Sequence, residues 1–501
     1  MNILGISAGF HDAAVTMIDG HGDIVFAGHS ERYSKLKNDA HVNSALIDEA
    51  LTYGSPDQIA YYERPWIKKL QQIYSGQYRE ALFQNYTLGQ YLREHISDSV
   101  HIKSLLRRPR KYMSHHHSHA AAGFQTSSFD TAAVVVIDAI GELDTISIYK
   151  AYYDQHGRAR YDRVWKQSYP HSIGLFYSAL TQRCGLHPMD EEYITMGMSG
   201  WGNSGRWSGK MYNQFIEDFE NIKFRDNLHL GWPKDFAPNA SDVDLAAAGQ
   251  FITESLINQV MTIASKLVDS KNLVYMGGVA LNCLANRTLG DYFDNIWIMP
   301  CPGDAGSSLG AAALAYGKRV NWTNAYLGHD IPGDYPVNDL LNHLSTNGIA
   351  GVASGRAEFG PRAFGQRSLL ADPRGPEIKD QVNEIKRRQK FRPFAPVILE
   401  ERADMYFDMP RGFSNSRYMQ VIARCRHPHI FPAIVHVDGT SRVQTVPTDG
   451  SGIRQLLEAW YKRTGCPMLL NTSLNIRGEP MVNDRADADR FETLYGVRVF
   501  S

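Results

Sequence analysis

The sequence predicts an α/β protein: a duplicated α/β domain followed by a smaller α/β domain. Three observations predict this. A strand–loop–strand–turn–strand pattern opens the chain and returns after residue 130. At 501 residues the chain is too long for one ordinary core. Past residue 345 strand and helix signals alternate in a locally basic segment, with ten Lys/Arg against five Asp/Glu between Arg356 and Arg392. The expected division is 1–345, in halves of about 1–130 and 131–345, and then 346–501.

Taken in order, residues 2–8 are an apolar run that reads as a strand, 13–18 as a second and 24–28 as a third. The turn Asp19-Gly20-His21-Gly22 joins the last two as a hairpin turn does. Residues 33–110 read as mainly helical and polar. The pattern then repeats with strands at 132–138, 145–152 and 160–166, and the turn Asp154-Gln155-His156-Gly157. A glycine-bearing loop follows the first strand each time: Ala8-Gly9-Phe10-His11-Asp12, and Asp138-Ala139-Ile140-Gly141-Glu142. Such a repeat is the mark of the actin/hexokinase/Hsp70 type of fold, in which two related halves close over a nucleotide. Residues 172–290 read as mostly helical, with a loop-rich insert near 200–240. Strands are expected at 272–276 and 296–300, a helix at 309–317, and a linker over 322–347.

Composition narrows the function classes. The chain is 43% hydrophobic and 21% charged, as globular proteins are. A net charge of -1 gives no global attraction to polyanions, so any such contact must be local. No apolar run approaches the length of a membrane span, and the start MNILGISAGF lacks the signature of a signal peptide. Five scattered cysteines with no CxxC pair fit buried thiols in a reducing cytoplasm.

The loudest local signal is Ser114-His115-His116-His117-Ser118-His119. His115 and His119 stand four apart, so on a helix both rings share one face and can share one ion. Two histidines do not fill a site. Asp138, ending a strand, and Asp304, starting a helix, are the carboxylates placed to join them. Two His plus two Asp with open positions suit Fe(II) or a similar divalent ion better than structural zinc.

His115-x-x-x-His119, Asp138, Met276-Gly277-Gly278-Val279-Ala280-Leu281-Asn282 and Gly303-Asp304 resemble the catalytic domain of the NodU/CmcH/TobZ O-carbamoyltransferases and of its relative, the tRNA threonylcarbamoyl-adenosine synthase. The second domain separates the two. The segments Gly355 to Ser368, Val382-Asn383-Glu384-Ile385-Lys386 with Phe391 to Pro396, Ser441-Arg442-Val443-Gln444, and Pro467 to Asn475 are similar to the carbamoyltransferase set. The resemblance covers nearly the whole chain.

It implies a YrdC-like second domain in which carbamoyl phosphate and ATP, the latter with Mg(II), give carbamoyl-adenylate, pyrophosphate and phosphate. The adenylate then meets an acceptor hydroxyl in the first domain and AMP leaves. By the same resemblance Lys386, Arg392 and Arg442 hold carbamoyl phosphate, Arg362 contacts nucleotide or phosphates, and Ser473 and Asn475 add neutral hydrogen bonds. Arg387, Arg388 and Lys390 read instead as a solvated basic face. In the first domain His11 is the implied general base, a neutral imidazole near pH 7, with Asp12 orienting it or holding the acceptor. Gly277, Gly278 and Asn282 would hold the adenosine, and Lys37 the adenylate phosphate. A homodimer is compatible with this reading.

Three positions depart from the family pattern: Ala139 where glycine is usual, Ile194 where lysine is frequent, and Met198-Ser199-Gly200-Trp201-Gly202 in place of Leu-Ala-Pro-Tyr-Gly. The acceptor stays open between a small-molecule or sugar hydroxyl and a 5-hydroxymethyl pyrimidine in DNA. The run Arg107-Arg108-Pro109-Arg110-Lys111, with Trp201 and Trp207, is what speaks for DNA. The rival readings are a tRNA threonylcarbamoyl-type transferase, which would lack the carbamoyl-phosphate motif, and a non-catalytic nucleotide-binding module, which would lack the metal residues.

Overall fold

The first three strands form because short apolar runs alternate with turn residues: β1 (Ile3–Ser7), β2 (Ala14–Ile18) and β3 (Ile24–His29). The computed structural model describes residues 1–501 except 75, 77, 79–80, 82–86, 234 and 390–391, so Lys390 and Phe391 lie outside the described residues. β4 (Gln58–Tyr61) and β5 (Arg110–Tyr112) complete the sheet. Its order is β3-β2-β1-β4-β5. β2 runs antiparallel to both neighbours, while β1, β4 and β5 are mutually parallel.

The second half repeats this arrangement. β6 (Thr131–Gly141), β7 (Asp144–Tyr153) and β8 (Ala159–Ser168) form the antiparallel part. Strands Asn272–Met276 and Asn295–Trp297 join β6 in parallel. The resulting order has the same sense as in the first sheet, with β6 where β1 stands. This is the duplicated fold of the actin/hexokinase/Hsp70 type.

Two short helices, His115–Phe124 and Ser307–Tyr316, lie between the two sheets and share one apolar cluster with both. They come unusually close because small residues line the contact. A Cβ on Gly310 would sit 1.8 Å from the Ser118 carbonyl oxygen, and one on Gly123 would sit 2.4 Å from Val274 Cγ1. The other face of the second sheet packs on helices Ile173–Arg183 and Asp242–Leu267.

The C-terminal part builds its own core around a six-stranded mixed sheet. Its strands, in spatial order, are Gln444–Val446, Ala395–Leu399, Met468–Ser473, Arg367–Ala371, Ile349–Ala353 and Val499–Phe500. A three-stranded sheet of Phe407–Asp408, Ile422–Cys425 and Thr440–Arg442 stands beside it. Side chains tie the two parts together. His329 meets Glu49 at 2.9 Å, Arg477 meets Glu191 at 2.5 Å, and Lys35 pairs with Asp487.

The structure corrects two expectations. Residues 33–110 are not only helical, since β4 and β5 arise there. Residues 322–347 are not a linker: strand Tyr326–Ile331 pairs with Gly355–Glu358, and helix Val337–Asn347 packs into the C-terminal core. Among the described residues, no helix is long and apolar enough to cross a membrane. All five cysteines are free and buried.

Candidate active site

His115 and His119 sit one turn apart on the helix His115–Phe124, fully buried, with both Nε2 atoms aimed at one point. Asp138 reaches that point from β6, and Asp304 from the turn that opens the helix Ser307–Tyr316. The Nε2 atoms are 3.1 Å apart. Asp138 Oδ2 is 3.2 Å from His115 Nε2, and Asp304 Oδ1 is 3.2 Å from His119 Nε2. All four donor atoms lie within 4.8 Å of one another.

The tautomers decide what this cluster can hold. His119 Nδ1 donates to the Pro302 carbonyl at 3.0 Å, and His115 Nδ1 faces Glu63 Oε2 at 3.6 Å. With protons on both Nδ1 atoms, the Nε2 lone pairs confront each other beside two carboxylates. That arrangement requires positive charge at its centre. Two ligand bonds of about 2.1 Å at right angles would put their ends about 3 Å apart, which is the spacing found. The residues therefore fit a divalent ion, with the Pro302 carbonyl as an outer partner orienting the His119 ring and Glu63 standing near that of His115. Without an ion, protons supply the charge. Burial disfavours ionisation of all four groups, yet Asp304 and Asp138 hold His115 well above the ordinary imidazole range, and the two histidines hold both carboxyls well below theirs. Sequence reasoning missed Glu63. Its signal, a carboxylate two residues past a parallel strand, is readable only once β4 is assigned.

His116 and His117 face away, as the helical spacing predicts. His116 Nδ1 meets Ser147 Oγ at 2.8 Å, and His117 packs edge-on against Tyr161.

His11 lies beside the cluster on the loop after β1. Its Nδ1 meets Asp12 Oδ2 at 3.0 Å and its Nε2 is 3.8 Å from Asp304 Oδ2. A neutral imidazole near pH 7 is not what this geometry gives. Burial lowers the pKa, but the Asp12 hydrogen bond and the charges of Asp304, Asp12 and Asp138 outweigh it and raise it to about 9.

A cavity of about 540 Å³ runs from this cluster to the C-terminal part. Its wall carries His11, Asp12, Lys37, Asp138, Gly278, Asn282 and Asp304 at one end, and Arg362, Lys386, Arg392, Arg442, Ser473 and Asn475 at the other. The His/Asp cluster and the cationic residues thus open onto one chamber. Lys386 Nζ donates to Asn475 Oδ1 at 2.7 Å and to Ser473 Oγ at 3.0 Å. Arg392 stacks 4.7 Å from the Tyr193 ring, a residue of the first domain. Asn282 exchanges amide hydrogen bonds with Gln250, at 3.0 and 3.1 Å. Lys37 pairs with Glu31 at 2.9 Å.

Several expectations change here. Arg388 is not on a solvated face: it lines the chamber, stacks 4.1 Å over Phe394 and is fixed through Nε by Asn383 at 2.7 Å. Arg387 is exposed, as expected. Gly277 does not line the chamber. A Cβ there would sit 2.1 Å from the Ile137 carbonyl oxygen, so its φ of +92° serves close approach to β6. Ile194 is buried and not in the cavity wall, whereas Ala139, Ser199 and Gly200 are in it. Arg107 to Lys111 do not line the chamber either. Arg107 and Arg108 precede β5, and the ion cluster lies past the opposite ends of its neighbours. Trp201 is half exposed, but Trp207 is only partly so and packs against the apolar cluster behind the second sheet.

The cations at the far end share one property. Arg362, Lys386, Arg388, Arg392 and Arg442 have no carboxylate partner among the described ion pairs. Burial and mutual repulsion push Lys386 and Arg388 well below their ordinary pKa ranges, and Arg442 down to about 9. Lys386 is buried and the four arginines are half-buried, and like charges gathered so closely favour an anionic ligand among them.

The family described as Carbamoyltransferase N-terminus matches residues 2–313, and Carbamoyltransferase C-terminus matches 341–499. An uncharacterized protein of Synechocystis sp. is 30% identical over 98% of this chain and 94% of its own. Nodulation protein NolO of Bradyrhizobium diazoefficiens is 31% identical over 75% of each chain. Nodulation protein U of the same species is 29% identical over 97% of this chain and 94% of its own.

Proposed function

The chain belongs to the carbamoyltransferase family and is a carbamoyltransferase, and from that premise we propose an ATP-dependent O-carbamoyl transfer in two steps within one chamber. In the first, carbamoyl phosphate, ATP and water give carbamoyl-adenylate, pyrophosphate and phosphate. In the second, an acceptor oxygen attacks the carbamoyl carbon, the bond from that carbon to the AMP oxygen breaks, and AMP leaves with the electron pair.

One observation carries the reading: a single cavity lined both by Arg362, Lys386, Arg388, Arg392 and Arg442, which have no carboxylate partner among the described ion pairs, and by the carboxylates of the His/Asp cluster. Its volume is in the range of pockets that enclose small ligands. Two polyanions bound side by side need concentrated positive charge. Lys386, Arg392 and Arg442 are assigned to carbamoyl phosphate, and Arg362 to the phosphates of ATP. Ser473 and Asn475 orient Lys386. The YrdC-like character of residues 346–501 belongs to the same proposal.

For the second step, His11 takes the hydroxyl proton at Nε2, with Nδ1–H held on Asp12. His11 becomes a competent base once the charge of Asp304 is neutralised, because that charge is part of what raises its pKa. His115, His119, Asp138 and Asp304 would hold a divalent ion such as Fe(II), which when bound supplies Lewis-acid polarisation of a carbamoyl or phosphate oxygen. Gly278 and Lys37 line the adenylate's path. The acceptor is read as a small-molecule or sugar hydroxyl. The basic run offered for DNA lies away from the chamber, so the DNA reading loses its local support. Membership of this family also displaces the tRNA-modifying and non-catalytic readings.

The test measures pyrophosphate release from ATP with carbamoyl phosphate, and a carbamoyl-sized mass gain on a panel of hydroxyl acceptors. Pyrophosphate release that depends on carbamoyl phosphate is expected. Its absence in the metal-loaded enzyme ends the adenylation proposal.

A further inference from the structure

The backbone of the loop that carries Arg362 is gripped by two first-domain side chains at Gly360. Its N–H donates to His29 Nε2 at 2.9 Å, and its carbonyl accepts from Arg32 Nη2 at 3.1 Å. His29 ends β3, and Arg32 lies on the short helix Glu31–Ser34. Both are buried. The His29 ring also packs on Phe359, with centroids 5.0 Å apart. Gly360 itself has φ +141°, and a Cβ there would meet the Pro300 carbonyl oxygen at 2.8 Å.

The other flank of the loop is pinned from within the C-terminal part. Glu358 Oε1 accepts from the N–H groups of Phe364 and Gln366 at 2.8 Å and of Arg367 at 3.2 Å. Between these two fixed points only Pro361, Arg362 and Ala363 remain. Arg362 points into the chamber, reaching the Leu281 carbonyl at 3.4 Å, and stands beside Arg442.

Two guanidinium groups facing one cavity repel each other, and a slack backbone would let them part until an anion arrived. A site pre-organised for a polyanion must hold them together beforehand, so that binding does not have to reorganise it. We propose that His29 and Arg32 are positioning residues for donor activation: by gripping both polar groups of Gly360 they hold Arg362 in the chamber, so that adenylate formation in the C-terminal part depends on the first domain. This rests on the assignment of Arg362 and Arg442 to the donor site. For His29 to accept from Gly360 its proton must sit on Nδ1, and the ring must be uncharged. Burial and the nearby Arg32 hold its pKa down at about 4, so the ring is neutral over the working range.

The experiment follows pyrophosphate release from ATP and carbamoyl phosphate by the full chain. His29→Ala should lower kcat/KM about tenfold, mostly through KM for ATP and carbamoyl phosphate, for one lost buried hydrogen bond. His29→Gln, whose amide oxygen can accept from Gly360 N–H, should recover most of the loss; a purely structural defect would not select for the acceptor atom. The double variant His29→Ala/Arg362→Ala should be no worse than Arg362→Ala alone, because the first residue acts through the second. Should His29→Ala fail to fold, Arg32→Gln in the same cycle with Arg362→Ala takes its place. Additive losses, or unchanged KM values in the single variants, overturn the clamp. If Arg362→Ala and Arg392→Ala both leave pyrophosphate release intact, it is the donor-site assignment that fails, and the clamp falls with it.

Discussion

At the scale of single residues, the chamber divides its chemistry between two sets of side chains, and substitutions should separate them. Arg392→Ala removes a half-buried cation proposed to bind carbamoyl phosphate. It is expected to cut pyrophosphate release by on the order of 100-fold, as the loss of charge-assisted hydrogen bonds does. His119→Ala should abolish transfer while leaving pyrophosphate release within about twofold, since it touches only the ion cluster. Quantifying pyrophosphate and carbamoylated product on the same samples checks both. If His119→Ala stops pyrophosphate release as well, the two sets are not separable.

The ion cluster was legible in the sequence because each member carries its own local signal: a four-residue histidine spacing, a strand end and a helix start. Glu63, Arg388 and Gly277 were not. Glu63 stands in a polar stretch whose strand is only four residues long. Arg388 sits in a run of cations where nothing in the order of residues tells which one turns inward. Gly277 belongs to a motif that resembles a ligand loop, and only the backbone shows that its missing side chain makes room for β6.

At the scale of elements, the paired helices between the sheets set the geometry of the cluster, because one carries both histidines and the other begins beside Asp304. Their separation depends on Gly310. Gly310→Ala would force a methyl group into the space of the Ser118 carbonyl, and should destabilise the fold by about 3 kcal/mol, as overpacking does. The denaturant midpoint measures the cost, and weakened metal uptake by the folded fraction should accompany it. An unchanged midpoint would show that these helices move apart freely. The hairpins β1–β3 and β6–β8 were legible because apolar runs alternate with Gly-rich turns. β4 and β5 were not, being strands of four and three residues inside polar sequence. The segment 322–347 read as a linker because its Gly and Pro residues outweigh the short apolar pattern of Leu340, Leu341 and Leu344, which the C-terminal core nonetheless buries.

At the scale of the whole molecule, first-domain residues lie over C-terminal cations of the chamber wall: Tyr193 on Arg392 and Glu191 on Arg477. Glu191→Ala should loosen this cover and expose the reactive intermediate to water. The ratio of pyrophosphate released to carbamoyl product should then rise at least about twofold over the unmodified enzyme. A ratio that stays matched would mean that Tyr193 alone suffices as cover. A divalent ion bound to the four-residue cluster should also raise the unfolding temperature of the whole chain, because it binds the folded state selectively. Titration with Fe(II) or Mn(II), reversed by a chelator, reads this directly, and His115→Ala should abolish the shift.

The identical strand order of the two sheets has a consequence for the chamber. The loop after β1 carries His11 and Asp12, while the end of β6, its counterpart in the second sheet, carries Asp138. In the two copies of one strand order, the same position thus bears an imidazole beside a carboxylate in one half and a lone carboxylate in the other, so a repeated frame presents unlike side chains to one chamber.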